Sequence, residues 1–269
     1  MPTIGDRISL GEQRKESRRI QDFISKYFCS SGMNRAVVGL SGGIDSAVVA
    51  VLCKKALGAD NLVLLYLPED DSPPEDERHV RKLEEQVPLS TVKKISIEDK
   101  VRPFRPSLPN LDRMALANLK ARVRMVLLYG MANSLNGLVV GTGNLSEWLL
   151  GYFTKYGDGA ADLSPIVHLF KSEVQDLAKL LDVPKSIIDK PPSAGLWPGQ
   201  TDREDLGASY QKLDKILYLF YVEEISAEGI KSRLDFPPDL VDEVIEMIES
   251  TRHKRGFSPR LDRTPDHLV

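Results

Sequence analysis

Hydrophobic residues along the chain follow two different spacings, one typical of helices and the other of buried strands. In residues 20–28 the apolar side chains recur three and four positions apart, which predicts an amphipathic first helix, and Ser9 with Glu12 fits a capping box at its start. Four short runs rich in apolar and β-branched residues predict strands at residues 36–40, 62–67, 91–97 and 138–140. Further helical patterns cover residues 46–57, 75–87, 114–135, 172–181, 209–221, 227–234 and 239–250.

The alternation of strands with helices predicts the fold class. Strands that are joined by helices pair in parallel, so we expect an α/β fold with a doubly wound, mostly parallel sheet flanked by helices. Ligands of such a fold bind at the carboxyl ends of the strands. Residues 151–166 and 190–202 are rich in glycine, proline or polar side chains and predict loops that could close over a ligand. No internal repeat or interdomain linker interrupts the pattern, which predicts a single domain over residues 1–269.

The chain is close to electrically neutral, with 36 basic and 39 acidic side chains and a formal net charge of −3. Such a balance does not concentrate a protein on nucleic acid or on an anionic membrane. The first residues are polar, without the apolar stretch of a secretion signal, and no uncharged apolar run reaches about 18 residues. We therefore expect a cytoplasmic protein whose partners include neither nucleic acid nor a membrane.

Two further features are open to a metal-binding interpretation. Cys29 and Cys53 have no metal-type spacing and lie in apolar, helix-like surroundings, which favours two buried thiols over a disulfide or a ligand pair. The acidic stretch at residues 69–77 has enough carboxylates for a cation, but acids are also common near helix N-termini. A solvated helix face is the favoured interpretation of that stretch.

The strongest chemical signal lies between the first predicted strand and the helix that follows it. Its sequence is Gly39-Leu40-Ser41-Gly42-Gly43-Ile44-Asp45-Ser46. Glycines let the backbone close around oxygen atoms, and the N-terminus of a helix favours an anion, so the segment predicts a phosphate site. It is neither a Walker A loop nor the G-x-G-x-x-G of a dinucleotide site. Ser41 and Ser46 add hydroxyl donors, and Asp45 can bind Mg²⁺ to offset the phosphate charge.

This segment resembles the signature of the PP-loop ATP pyrophosphatases, whose fold is the adenine nucleotide alpha hydrolase type. Members of that superfamily bind the pyrophosphate of ATP and transfer AMP to a substrate oxygen. Other blocks of the chain are similar to the ammonia-dependent NAD synthetase family and occur in the same order over nearly the whole sequence. These blocks are residues 118–124, 141–147, 151–159, 160–165, 171–173, 192–200 and 253–254.

The resemblance implies a ligase reaction in which deamido-NAD, ATP and ammonia give NAD, AMP and diphosphate through an adenylated nicotinate carboxylate. No protein nucleophile is required. It also implies a set of contacts, residue by residue. ATP would be bound by residues 39–46 with Thr142, Lys171 and Ser193, deamido-NAD by Arg122, Lys155, Asp162, His253 and Lys254, and Mg²⁺ by Asp45 and Glu147.

The family further implies a homodimer whose interface includes the long helix at residues 114–135. Members that use glutamine carry an added amidase domain, which is not expected in this chain, so free ammonia or a separate subunit would supply the nitrogen. Two positions depart from the family pattern. Ser193 stands where threonine is frequent, and Arg203 interrupts the acidic run at residues 202–205, which leaves the role of that run open.

Two other functions compete with this assignment. A PP-loop enzyme that modifies tRNA would need an RNA-binding surface, and the net charge of −3 and the absence of a Cys-x-x-Cys pair argue against it. A nucleotide-binding regulatory module would keep the glycine-rich loop but would not need Asp45 together with Glu147. Both acids are present in the sequence.

Overall fold

The protein is built around a parallel sheet, which confirms the predicted fold class. The computed structural model describes residues 10–87, 92–108, 111–197 and 199–256. Within them the strands are β1 (Arg35–Leu40), β2 (Leu62–Tyr66), β3 (Val92–Lys94) and β4 (Gly137–Val139). All pairs are parallel, in the order β3-β2-β1-β4. Each lies within one of the predicted runs or exceeds it by one residue, although Thr91, at the start of the third run, is outside the described residues.

The predicted helices are all present, with shifts of a few residues at their ends. Ser9 of the predicted capping box is outside the described residues. Four short helices, α4, α6, α8 and α9, were not predicted, and α10 ends in a π-helical turn at Tyr218–Val222. No helix in the described part of the chain combines the length and the apolar character needed to cross a membrane. The helices are α1 (Leu10–Ser31), α2 (Ile44–Leu57), α3 (Pro74–Gln86), α4 (Glu98–Val101), α5 (Arg113–Ser134), α6 (Leu145–Leu150), α7 (Lys171–Leu180), α8 (Lys185–Ile188), α9 (Asp202–Asp205), α10 (Tyr210–Leu217), α11 (Ala227–Arg233) and α12 (Pro238–Ser250).

Helices cover both faces of the sheet, because alternate side chains of β1 enter different cores. Ala36 and Val38 pack with α1, α2 and α7, whereas Val37 packs with α4 and α5 on the opposite face. The chain passes from β1 to β2 through α2 and reaches β4 through α5, so the strand order reverses at β1. A crevice therefore opens at the carboxyl end of β1, where ligands of doubly wound sheets bind.

A separate apolar cluster lies beside the sheet and consists of α6, α10, α11, α12 and their neighbouring loops. Leu213, Ile216 and Val244 are completely buried in it. Because α6 also follows directly on β4, this second core is joined to the sheet close to the crevice. The chain thus brings helices from its C-terminal third to the edge at which a ligand would bind.

The predicted apolar face of α1 is only partly buried. Ile20, Ile24 and Phe28 pack in the core that contains Ala36 and Val38, but Phe23 and Tyr27 are 45% and 38% exposed. Side chains recurring at three and four positions form a stripe that is wider than the surface that α2 and α7 offer to this helix. Two large apolar side chains therefore remain on the outside of α1.

Two predictions about polar groups were wrong in part. Cys53 is a buried thiol whose pKa burial raises to about 12, as expected, but Cys29 is exposed on the outer side of α1. In the acidic stretch, Glu69 pairs with Lys120 in a buried position. A buried carboxylate needs a cationic or hydrogen-bonding partner, and this one is supplied by a helix distant in sequence. That partner could not be identified from the local pattern.

The glycine-rich loop is in backbone contact with the start of α3. Gly42 has a φ of +79°, and a Cβ added there would lie 2.8 Å from both the Cα and the carbonyl oxygen of Asp76. Asp76 is buried and paired with Lys190. Only glycine satisfies both the left-handed backbone and the close approach, so this position fixes the shape of the loop against α3.

Gly42→Ala is expected to lower the free energy of unfolding by at least about 2 kcal/mol, since the backbone would be strained and the new methyl group would collide with Asp76. Gly32→Ala is the matched control, because Gly32 has a φ of +69° and open space at its Cβ. It should cost only about 1 kcal/mol. Urea unfolding of the two variants measures the difference, and equal losses would contradict a rigid contact at Gly42.

Candidate active site

The predicted phosphate loop spans the turn from β1 to α2. The Ser46 hydroxyl donates to the carbonyl of Gly43 at 3.1 Å, and the amide of Ser41 donates to the Ser46 oxygen at 3.2 Å. These bonds close the turn on itself. The N-cap of α2 is Gly43, which has no side chain to cap the helix, so the first-turn amides remain available to an anion.

Three charged side chains from three helices meet beside this loop. The Lys171 ammonium, at the start of α7, lies 2.5 Å from Oδ2 of Asp45 and 3.1 Å from Oε1 of Glu147. Asp45 is in the first turn of α2, and Glu147 is in α6. The structure therefore brings together both predicted Mg²⁺ ligands and one predicted ATP contact. They are up to 126 positions apart in the sequence.

Burial and charge act against each other in this group. Burial alone would lower the pKa of Lys171, but the charges of Asp45 and Glu147 outweigh it and raise that pKa above its usual range. Burial raises the pKa of Glu147 to about 7, with Lys171 opposing the shift and Asp45 adding to it. The charge states of Lys171 and Glu147 thus depend on each other and on the charge of Asp45.

Asn144 holds the two carboxylates in place and was missing from the sequence-based assignment. It is completely buried, and its side-chain Nδ2 donates to Oδ1 of Asp45 at 2.9 Å. Its Oδ1 accepts the backbone N–H of Glu147, while the Glu147 carboxylate accepts the Asn144 N–H. This is a capping box at the start of α6. An asparagine three residues before a glutamate is its sequence signal, and that spacing is visible in the chain.

Four of the five residues predicted to bind deamido-NAD form a second cluster. Arg122 on α5 donates to the carbonyl of Lys155 at 3.3 Å, and the Lys155 ammonium donates to the carbonyl of His253 at 2.6 Å. The Lys254 ammonium donates to the carbonyls of Gly151 and Phe153. The C-terminal segment is therefore hydrogen-bonded to the loop that follows α6, and basic side chains from α5, from the loop and from that segment lie close together.

The other predicted residues lie apart from both clusters or serve the backbone. Asp162 accepts the N–H of Val139 at 2.7 Å and so fastens the end of β4. Thr142 is partly exposed in the turn between β4 and α6. Ser193 is exposed, and its hydroxyl accepts the N–H of Gly195. Among the described residues, no hydrogen bond joins Ser193 to the Lys171 group.

The acidic run at residues 202–205 forms one wall beside Lys171. The Tyr210 hydroxyl donates to Oδ2 of Asp202 at 3.0 Å, and the Tyr210 ring lies 5.3 Å from the Lys171 ammonium. The Tyr152 hydroxyl donates to Asp205 at 2.7 Å. Asp202 is buried and adds to the charges that raise the pKa of Lys171. The spacing of the acidic residues in the sequence does not predict these contacts, since they depend on α10 and on the loop after α6.

The carboxylates of Asp45 and Glu147 fit a site for Mg²⁺. Both converge on a single cationic group, the Lys171 ammonium, at hydrogen-bond distance. In the part of the chain that the structure describes, no group of three or more metal-binding side chains is present. Mg²⁺ usually takes only one or two carboxylates and completes its shell with water and substrate phosphates. A carboxylate pair next to a phosphate loop meets that requirement.

Comparison with known proteins agrees with this geometry. The NAD synthase family profile matches residues 16–258. The NH(3)-dependent NAD(+) synthetase of Archaeoglobus fulgidus is 47% identical over 246 residues, which cover 91% of this chain and 95% of that protein.

Two solved structures resemble the whole fold. The NMN synthetase of Francisella tularensis has a TM-score of 0.81 and 35% identity, and the NH3-dependent NAD synthetase of Campylobacter jejuni, solved with a nitrate ion, has a TM-score of 0.79 and 33% identity. Each alignment covers 93% of this chain and 99% of the other. The glycine-rich loop, the charged group beside it and these similarities together place the chain in the NAD synthase family.

Proposed function

We propose that this protein is an ammonia-dependent NAD synthetase, a ligase that catalyses the last step of NAD biosynthesis. The observation that carries the proposal is the meeting of Asp45, Glu147 and Lys171 at the carboxyl end of β1, beside amides that an anion can bind. Such a site suits the splitting of ATP between its α and β phosphates. Relatives at 41–47% identity that are named NH(3)-dependent NAD(+) synthetases support the choice of acceptor and nitrogen source.

The first chemical step is the transfer of AMP to the substrate. An oxygen of the nicotinate carboxylate attacks the α phosphorus, a new C–O–P linkage forms, and the bond from that phosphorus to the bridging oxygen breaks. Diphosphate leaves with that oxygen. The loop amides at residues 41–46 take up the charge of the leaving group, and Lys171 adds a fixed positive charge beside them. Substrate oxygen is the nucleophile, so the protein need not supply one.

In the second step ammonia attacks the carbonyl carbon of the adenylate. The carbon–nitrogen bond forms, the bond to the AMP oxygen breaks, and the nitrogen loses a proton. NAD and AMP are the products. Water would hydrolyse the same adenylate. The loop at residues 151–159, which is hydrogen-bonded to the C-terminal segment, would keep water away from the adenylate.

Asp45 and Glu147 would hold Mg²⁺, which when bound supplies positive charge against the phosphates of ATP. Lys171 already contributes one cationic group at that place. Thr142 and Ser193 would contribute hydroxyl groups to ATP. Deamido-NAD would be bound by the basic cluster, in which Arg122 offers a planar fork and Lys155 a mobile point charge to phosphates and carboxylate.

We also propose broader features of the protein. Ammonia, free or from a separate subunit, would supply the nitrogen, and residues 1–269 would form a single domain. The substrates agree with the cytoplasmic location inferred from the sequence. A homodimer is supported by large exposed apolar side chains on two long helices, Phe23 and Tyr27 on α1 with Met114 and Val126 on α5.

An end-point assay tests the reaction. The purified protein is incubated with ATP, Mg²⁺, an ammonium salt and deamido-NAD, and NAD, AMP and diphosphate are measured together. All three products are expected in equal amounts, and none without deamido-NAD. A parallel reaction with nicotinate mononucleotide is needed, because one structural neighbour is named an NMN synthetase.

The products separate the competing functions. NAD from deamido-NAD, at a kcat/KM at least about tenfold above that for the mononucleotide, supports the proposal. Preference for the mononucleotide would keep the chemistry but replace the substrate. AMP and diphosphate without amidation would point to another acceptor, as in a tRNA-modifying enzyme. A folded protein that binds ATP without splitting it would be a regulatory module.

Asp45→Asn is expected to lower kcat at least about tenfold and to raise the Mg²⁺ concentration needed for half-maximal activity, because one of two proposed ligands loses its charge. Asp60→Asn makes the same change at an exposed position and should leave both values unchanged. Initial rates over a Mg²⁺ series measure the effect. A variant at Asp45 with the wild-type series would exclude this residue from metal binding.

Lys155→Ala is expected to raise KM for deamido-NAD about tenfold while KM for ATP stays within about twofold, since a charged hydrogen-bond donor is removed from the proposed dinucleotide cluster only. Lys185→Ala is the control, because the Lys185 side chain is 89% exposed. Steady-state kinetics in both substrates decide the matter. Equal changes in the two KM values would argue for a general disturbance of the loop.

A dimer of twice the 30.0 kDa chain mass is expected at micromolar concentration in size-exclusion chromatography with light scattering. Val126→Glu should shift it toward the monomer, because a charge would be placed on α5 at a residue that is 61% exposed. Val222→Glu, at a 48% exposed position away from α5, should not. A monodisperse wild-type monomer would rule the dimer out.

A further inference from the structure

We propose that Asp214 is a positioning residue for the ATP site, which fixes the spacing between Glu147 and Lys171 through the hydroxyl groups of Ser146 and Ser172. This inference rests on the function proposed above. Asp214 lies on α10, in the second core, and makes no direct contact with either functional side chain among the described hydrogen bonds.

The contacts of Asp214 divide between two helices. Its Oδ1 accepts the hydroxyl of Ser146 at 2.5 Å, and its Oδ2 accepts both the backbone N–H and the hydroxyl of Ser172, at 2.9 and 2.7 Å. Ser146 directly precedes Glu147 on α6, and Ser172 directly follows Lys171 on α7. One carboxylate is therefore bonded to the sequence neighbours of both residues.

Ser146 also joins the two helices directly. Its oxygen accepts the backbone N–H of Lys171 at 2.9 Å while its hydroxyl proton is donated to Asp214. The hydroxyl can orient its lone pair toward Lys171 only while an acceptor holds its proton on the other side. Asp214 thereby determines how Ser146 positions the first residue of α7.

The start of α7 depends on these foreign side chains. Its N-cap is Phe170, which has no side-chain oxygen, and Glu173 of the same helix accepts the N–H of Phe170. The amides of Lys171 and Ser172 therefore need acceptors from other elements. Ser146 and Asp214 accept the amides of Lys171 and Ser172 instead. Loss of either acceptor would remove a hydrogen bond from the end of the helix from which the Lys171 side chain projects.

Asp214 is 1% exposed, and in the described part of the chain no basic side chain forms an ion pair with it. Burial raises its pKa, whereas the hydrogen bonds from Ser146 and Ser172 oppose that rise. A carboxylate in such a place is costly to bury, and a well-packed apolar residue would serve the second core better. The three hydrogen bonds that Asp214 accepts connect it to the starts of the neighbouring helices.

A double-mutant cycle tests this role. Asp214→Asn keeps the shape but turns an NH₂ group toward groups that are themselves donors, and Ser146→Ala removes the relay. Each is expected to lower kcat between about 10-fold and 100-fold, because displacement of a catalytic group by about 1 Å has effects of that size. KM for ATP and for deamido-NAD should change by less than about threefold. The double variant should be no slower than the worse single variant by more than about threefold, since both changes break the same path.

Leu213→Ala provides the matched control for lost stability. Leu213 is adjacent on α10 and completely buried in the second core, so the variant is destabilised without a break in the hydrogen-bond path. Thermal unfolding fixes an assay temperature at which every variant is folded. There Leu213→Ala should keep kcat within about twofold of the wild type, and its effect should multiply with that of Ser146→Ala.

Failure of the positioning role and failure of the proposed function give different results in this experiment. If the wild type makes no NAD, the proposed function fails and kcat of ATP splitting becomes the quantity compared. With an active wild type, a normal kcat in Asp214→Asn, or effects of Asp214→Asn and Ser146→Ala that multiply, would overturn the positioning role. If Asp214→Asn does not fold, a double-mutant cycle of Ser146→Ala with Ser172→Ala replaces it, because both hydroxyls donate to the Asp214 carboxylate. Coupled effects of the two changes on kcat support the positioning role, and independent effects refute it.

Discussion

The ammonium of Lys171 lies almost entirely out of water, and the rest of the site is arranged around that fact. A lone buried cation is costly, and it is tolerated here because Asp45 and Glu147 stand within hydrogen-bond distance of it. The three groups come from the first turns of three helices, so their meeting point is set by where those helices begin. Anything that moves one helix start relative to another changes the charge balance at the mouth of the phosphate loop. This gives the capping interactions a chemical role beyond helix stability.

The starts of these helices are in turn held in place by uncharged side chains. Asn144 spans α6 and α2 through Glu147 and Asp45, and Ser146 connects α6 with α7. These bonds are 2.9–3.0 Å long, and the side chains of Asn144 and Ser146 are themselves completely buried. A hydrogen-bonded polar network in such a place orders its surroundings. The second core contributes through α10, so a helical cluster beside the sheet would take part in shaping the proposed ATP site. The fold thus joins a nucleotide-binding sheet and a helical cluster at one small group of polar atoms.

The two proposed substrates, ATP and deamido-NAD, would contact different kinds of structure. The phosphate loop is held rigidly, with Gly42 packed on the backbone of α3 and the serine hydroxyls bonded inside the turn. The basic cluster instead lies on a loop, and hydrogen bonds from ammonium groups to carbonyl oxygens join this loop to a C-terminal segment. Ammonium groups that are now bonded to carbonyls can exchange these partners for phosphate oxygens at little cost, because one charged hydrogen bond replaces another. Rigidity at the proposed ATP site and exchangeable contacts at the proposed deamido-NAD site suit an enzyme that must align one substrate and enclose the other.

The sequence by itself determined the sheet, the long helices and the glycine-rich loop, because these depend on local periodicity and on the conformational freedom of glycine at residue 42. The family resemblance also indicated Asp45, Glu147 and Lys171, which the structure brings together. The short helices α6 and α9 were not predicted, since elements of four to six residues have too few positions to show a period. Asn144, Asp202 and Asp214 were not assigned either, and the burial of Glu69 was misjudged. Each of these polar side chains owes its role to a partner on another element, and such a partner is decided only when the tertiary structure packs the helices and excludes water.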